Sequence, residues 1–126
     1  MVRNCTPHAI TVRPDGDSDG VTIPPSGIIP RVTVSTVSYG EINHDSLMVT
    51  PAGKFTETLH LPVVRTTFGQ VEGLPDAEGG VWLVVSSVVL AALQGSRPDC
   101  VAPDTSPASA IRDGAGRIVG VRRLTR

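Results

Sequence analysis

The sequence predicts a mainly β fold with a minor helical part, a compact single domain (residues 1–126) of short strands arranged as a small barrel or sandwich. Three observations predict it. Valine, isoleucine and threonine make up 37 of 126 residues, and β-branched side chains favour strands. Thirteen glycines and eleven prolines punctuate the chain into short segments. Only one stretch, Val88 to Leu93, reads as a helix.

The elements follow in order. Residues 8–13 read as a strand ended by Pro14, and Val21-Thr22-Ile23 returns as its hairpin partner. Ile28 to Val37 follows, with clear period-2 alternation over Arg31–Val37 that points Val32 and Val34 to the core. Ser38 to Leu59, broken by Gly40, Asn43, Pro51 and Gly53, reads as a long loop. It carries one short hairpin around Pro51-Ala52-Gly53. His60 to Phe68 is a strand, with Pro62 marking its start or an edge. Val81-Trp82-Leu83-Val84-Val85 is continuously apolar, as a strand buried on both faces is. Ser86 or Ser87 caps the helix and Gly95 ends it. Val101 to Ala110 carries Pro103, Asp104 and Pro107. Ala110–Arg112 and Arg117–Leu124 form a C-terminal hairpin about Asp113-Gly114-Ala115-Gly116.

Composition excludes several classes. Eleven basic against twelve acidic residues give a net charge of −1, unlike a dedicated nucleic-acid binder. Aromatic residues are 3%, too few for base-stacking platforms. No apolar run reaches the roughly 18 residues of a membrane span. The N-terminus lacks an apolar signal segment, and Cys5 and Cys100 read as reduced thiols. The expectation is a cytoplasmic protein with no membrane or nucleic-acid partner.

Motifs that carry chemistry are sparse. Asp15-x-Asp17-x-Asp19-Gly20 matches the start of a calcium loop, but Ser26 stands where a bidentate glutamate belongs. A solvated acidic turn is the simpler reading. Cys5 and His8 lack the surroundings of a cysteine hydrolase. The three histidines and two cysteines lack zinc-ligand spacing. The sequence therefore leans away from catalysis and implies no cofactor and no metal.

Anion binding fits better. Arg65, Thr66 and Thr67 precede Gly69, so a guanidinium, two hydroxyls and accessible backbone amides can meet a phosphate. The plain alternative is a strand end and a turn. Arg112, Arg117, Arg122 and Arg123 form a cationic group on the C-terminal hairpin, read either as an edge that resists aggregation or as an anion-binding wall. Asn4, Thr6 and His8 form a polar cluster before the first strand. Asn4 and Thr6 either hold a turn or contact a ligand. Asp104 and Thr105, between Pro103 and Pro107, form a rigid polar loop that suits a ribose or a simple turn.

These stretches also carry a resemblance. Asn4-x-Thr6-Pro7-His8-Ala9-Ile10, Ile23-Pro24-Pro25-Ser26-Gly27, Thr66 to Pro75 (TTFGQVEGLP), Val101-Ala102-Pro103-Asp104-Thr105 and Ile111-Arg112-Asp113 look like a family of small phage and prophage proteins of uncharacterised function. The similarity covers most of the chain and is weakest over residues 38–60. A phage setting implies, by analogy, a non-enzymatic sponge that sequesters a nucleotide-type immune signal such as a cyclic ADP-ribose isomer. The alternatives are a virion or assembly protein without a small ligand, and a hydrolase of the same signal using His8 or His60. Ligand-binding candidates under the first reading are Asn4, Thr6, His8, Arg65, Thr66, Thr67, Gly69, Asp104, Thr105, Arg122 and Arg123. A homo-oligomer is expected, because a domain this small builds a deep site more easily between subunits.

Overall fold

A computed structural model describes residues 1–16 and 20–126. The fold is mainly β, with one helix among the described residues. The described chain forms two compact units: Met1–Thr33 with Gln70–Arg126, and Val34–Gly69.

In the first unit, four strands form one mixed sheet in the order β1, β6, β7, β10. These are β1 (Val2–Asn4), β6 (Trp82–Val84), β7 (Cys100–Pro103) and β10 (Leu124–Thr125). β1 and β7 both run parallel to the central β6; the apolar run expected to be buried on both faces is so at Leu83, Val84 and Val85, while Trp82 is 45% exposed. Helix α1 (Ser87–Leu93) provides the connection between β6 and β7. Ser86 is its N-cap and its side chain accepts the Val89 N–H, while Gln94 ends it in the left-handed conformation at φ 50°. The capping expected from Ser86-Ser87 is therefore present. Cys5, Leu83, Val85, Val89 and Cys100 form the buried core, with Val32, Leu74 and Leu93 packed against it.

A second sheet has the order β3, β2, β9, β8. It comprises β2 (Ile10–Val12), β3 (Val21–Ile23), β8 (Ala110–Arg112) and β9 (Ile118–Val121). The two hairpins expected here, β2–β3 and β8–β9, are both present.

Three expectations are corrected. Asn4, expected in a polar cluster before the first strand, instead ends a strand of its own, Val2–Asn4. Arg117–Leu124 is not one strand. It breaks at Arg122 and Arg123, whose backbone N–H groups both donate to the buried Ser109 Oγ, and β10 then joins the other sheet. Val34 does not face a core: it is 47% exposed, whereas Val32 does pack on the core.

The second unit is a two-stranded antiparallel ribbon of β4 (Val34–Thr50) and β5 (Gly53–Phe68). Here the long loop expected over 38–59 is overturned. Apart from the bulged Tyr39, those residues are paired about the turn at Pro51-Ala52 that the sequence did mark. The strands are much longer than the short ones expected. The period was obscured by a bulge between Ser38 and Gly40, which resets the alternation in β4. Pro62 lies within β5, opposite Glu41. It is accommodated because each strand of a two-stranded ribbon has a free edge, where no N–H is required.

Candidate functional site

In the first unit, Asn4 is 1% exposed and spends its side chain inside the fold. Its Nδ2 donates to the carbonyls of His8 (2.8 Å) and Ile23 (3.0 Å). Its Oδ1 accepts from the Thr6 backbone N–H (2.9 Å) and the Thr6 hydroxyl (2.6 Å). Both donors and both acceptor positions are filled, so Asn4 and Thr6 hold the turn that launches β2. The His8 side chain is exposed.

Asp104 is also engaged. Its Oδ2 accepts from Arg123 Nε at 2.6 Å and its Oδ1 accepts from the Ser106 backbone N–H at 3.0 Å. The Arg123 hydrogen bond, followed by those of Ser106, holds the Asp104 carboxyl down at about 2. Arg122 crosses over Gly16, where φ is +82° and a Cβ would run into the guanidinium. Beneath both arginines, Ser109 is fully buried. Asp104, Arg122 and Arg123 are thus one assembly, clamped from below by Ser109.

Beside it lies a cleft of about 160 Å³ walled by Ile10, Thr11, Pro103, Thr105, Ile118 and Val119. Thr105 brings a hydroxyl to a largely apolar rim. This volume is below the roughly 300 Å³ at which small-molecule pockets begin. A larger cleft, about 370 Å³, lies between Leu90, Leu93, Arg97, Pro98 and Arg126. None of the candidate residues lines it. Arg97, which the sequence reading did not single out, makes a two-pronged bond to Asp99 (3.0 and 2.9 Å) and reaches the Pro75 carbonyl at 2.7 Å.

Cys5 and Cys100 are free and buried. Burial pushes both thiols up, so neither is a ready thiolate at neutral pH. Among the described residues, no group of three or more His, Cys, Asp or Glu side chains is arranged to hold a metal. The acidic motif at 15–19 includes residues 17–19, which lie outside those described. No helix among the described residues is long and apolar enough to cross a membrane.

The second unit carries Arg65, Thr66 and Thr67 at the end of β5, with Gly69 just beyond. Alternation along a strand sends neighbours to opposite faces. Arg65 and Thr67 share one face with their cross-strand partners Val37 and Ser35, and Thr66 lies on the other. The pair of threonines is therefore split. Arg65 is exposed and has no carboxylate within salt-bridge distance among the described residues.

Both faces of the ribbon mix apolar and polar residues. One presents Ile42, Met48, Phe55, Leu59, Leu61 and Val63 along with His44, Ser46, Glu57 and Arg65. The other presents Glu41, Asn43, Asp45, Thr58 and His60 along with Val34, Leu47, Val49, Val64 and Phe68. There Thr58 donates to Asp45 at 2.8 Å and His60 Nδ1 lies 2.9 Å from Asn43 Oδ1. Apolar side chains are exposed on both, with Ile42 59% and Phe55 52% on the first and Leu47 63% and Val49 67% on the second. The odd-numbered run Phe55, Leu59, Leu61 and Val63 was the sequence signal for the first.

Compared with known proteins, the chain matches no family model, no curated protein and no solved structure.

Proposed function

We propose that this chain is a phage-derived, non-enzymatic binding protein that acts as a homo-oligomer and sequesters a nucleotide-type immune signal, such as a cyclic ADP-ribose isomer. The observation that carries the reading is the disposition of Arg65, Thr67 and Ser35. One guanidinium and two hydroxyls share a face of the ribbon, the Thr67 hydroxyl donating at 3.4 Å to the Ser35 carbonyl, and the guanidinium has no carboxylate within salt-bridge distance among the described residues. This is the donor set that an anionic phosphate needs. The phage setting comes from the motif resemblance, which covers most of the chain and is weakest over residues 38–60.

Asn4 and Asp104 have other roles in this reading. Both are satisfied internally, and they shape the first unit rather than touch the ligand. Calorimetric titration with a cyclic ADP-ribose isomer tests the proposal. Saturable binding, followed by recovery of unaltered ligand on denaturation, is the expected result. A new product that vanishes in His8→Ala or His60→Ala would replace it with the hydrolase reading.

A virion or assembly role is the second reading, and the exposed apolar side chains of the ribbon favour it. Under that reading the oligomer forms but titration with the nucleotide gives no heat of binding.

A further inference from the structure

The two outer edges of the β4–β5 ribbon are guarded unequally. In an antiparallel pair, alternate residues turn their N–H and C=O groups to the partner strand or away from it. Pro62 has no N–H to give and stands opposite Glu41, so this pair is one whose backbone groups look outward. By the same alternation the even-numbered residues of β5 look outward, and on β4 the odd-numbered residues from Glu41 to Val49 do.

An edge with unpaired outward groups is a template for another strand unless something blocks it. On β5, Pro62 interrupts the outward donors within the strand, and Lys54, the one lysine of the chain, guards its start. On β4 the run Glu41–Val49 has neither proline nor lysine, and the bulge between Ser38 and Gly40 lies before it. The β4 edge is the open one. A hairpin of two strands is marginal in water, and further strands are what make such a sheet stable.

We propose that β4 of a second copy of this chain pairs antiparallel with β4 along this edge, giving a four-stranded sheet in the order β5, β4, β4, β5. Two observations choose that occupant. The edge strands of the other sheets, β1, β10, β3 and β8, are only two or three residues long, and β5 is interrupted by Pro62, so the long unguarded edge that a copy offers is β4 itself. The pairing also closes. An isologous contact uses the same edge on both copies, which leaves β5 on each side of the sheet, where Pro62 stops further addition.

Charge narrows the register. Like charges directly opposite destabilise a strand pair. A two-fold axis at Asp45 sets Asp45 against its copy, and one at Asn43 sets Glu41 against Asp45. Of the remaining axes, those at His44 and Ser46 pair the most outward residues. Edge pairing leaves both faces of the ribbon open, so Arg65, Thr67 and Ser35 keep their access to an anion. The pairing locates the oligomer of the capture reading and rests on that reading for nothing more.

Sedimentation at micromolar concentration, without ligand, tests it. The wild type should be a dimer of the 13.2 kDa chain. Leu47→Pro removes an outward N–H, as Pro62 does on β5, so the ribbon survives. The dimer dissociation constant should rise roughly a hundredfold, because each copy loses a ladder bond. Thr56→Pro removes an outward N–H on β5 and should leave the dimer unchanged. His44→Cys and Ser46→Cys, made separately and oxidised with oxidised glutathione, read the axis. Residues facing each other across it lie about 4.5 Å apart at Cα, within disulfide reach, so one of the two variants should cross-link copies. Cys5 and Cys100 are buried and do not compete. A monomeric wild type, a Leu47→Pro dimer as tight as wild type, a Thr56→Pro variant weakened as much as Leu47→Pro, or no cross-link in either cysteine variant overturns the proposal. Nucleotide titration separates the two ideas: a monomer that binds ligand refutes the pairing alone, and a dimer that binds none refutes the capture reading alone.

Discussion

Asn4 Oδ1 accepts two bonds from Thr6, one from its backbone N–H and one from its hydroxyl, at 2.9 and 2.6 Å. With the two carbonyls that Asn4 Nδ2 satisfies, this side chain ties β1, the turn after it and the end of β3 together. Asn4→Ala strands these partners in a site with almost no solvent access. A buried polar group left without a partner costs about 1–3 kcal/mol. We therefore expect Asn4→Ala to lower the unfolding free energy by at least about 2 kcal/mol, measured by urea denaturation. An unchanged midpoint would show that water replaces the carboxamide.

The helix cap gives a smaller, local prediction. Ser86 accepts the Val89 N–H, so Ser86→Ala should cost about 0.5–2 kcal/mol. Ser87→Ala should cost less, since Ser87 is the first helical residue and not the cap. Thermal melts of the two variants check the order.

The Asp104–Arg123 pair predicts an acid limb. The Asp104 carboxyl sits at about 2 in the folded protein, below its ordinary value of about 3.9. A depressed folded pKa means that the unfolded chain takes up the proton first. The stabilisation is thus complete above about pH 4 and is lost as pH falls towards 2. Asp99, lowered chiefly by its bond to Arg97, acts in the same direction. Asp104→Asn should flatten the stability profile over this range, and Arg123→Ala should do the same. Stability measured from pH 5 to 2 with equal slopes in wild type and both variants would contradict it.

Much of the first unit was legible because its signals are local. Gly80 and Ser86 bracket the apolar run of β6, Ser86 caps the helix, and Asp113-Gly114-Ala115-Gly116 turns the chain between β8 and β9. Some features depended on distant residues instead. Asn4 reads as part of a polar cluster until β6 pairs with Val2–Asn4, and Arg122–Arg123 read as strand until Ser109 captures their N–H groups. The ribbon was missed for a third reason. The bulge at Ser38/Gly40 and the polar residues on both faces together hide a period that β5 keeps intact. The candidate site was legible in its residue types but not in its geometry. Alternation divides Thr66 from Thr67, and Asn4 and Asp104 are already committed within the fold.

Arg65 tests the capture reading. Loss of one charge-assisted bond to a phosphate is worth roughly 1.5–3 kcal/mol, so Arg65→Ala should weaken nucleotide binding about ten- to a hundredfold while the fold stays intact. Binding should also weaken as salt rises. Calorimetry on Arg65→Ala and Thr67→Ala checks this. Unchanged affinity in both would move the site to Arg112 and Arg122.

Native mass spectrometry of the protein mixed with a cyclic ADP-ribose isomer tests the central claim most directly, because it reads subunit number and ligand together. The account predicts a dimer of the 13.2 kDa chain carrying intact ligand, released unaltered when the protein is denatured. A protein that stays ligand-free at saturating nucleotide, whatever its subunit number, would contradict it.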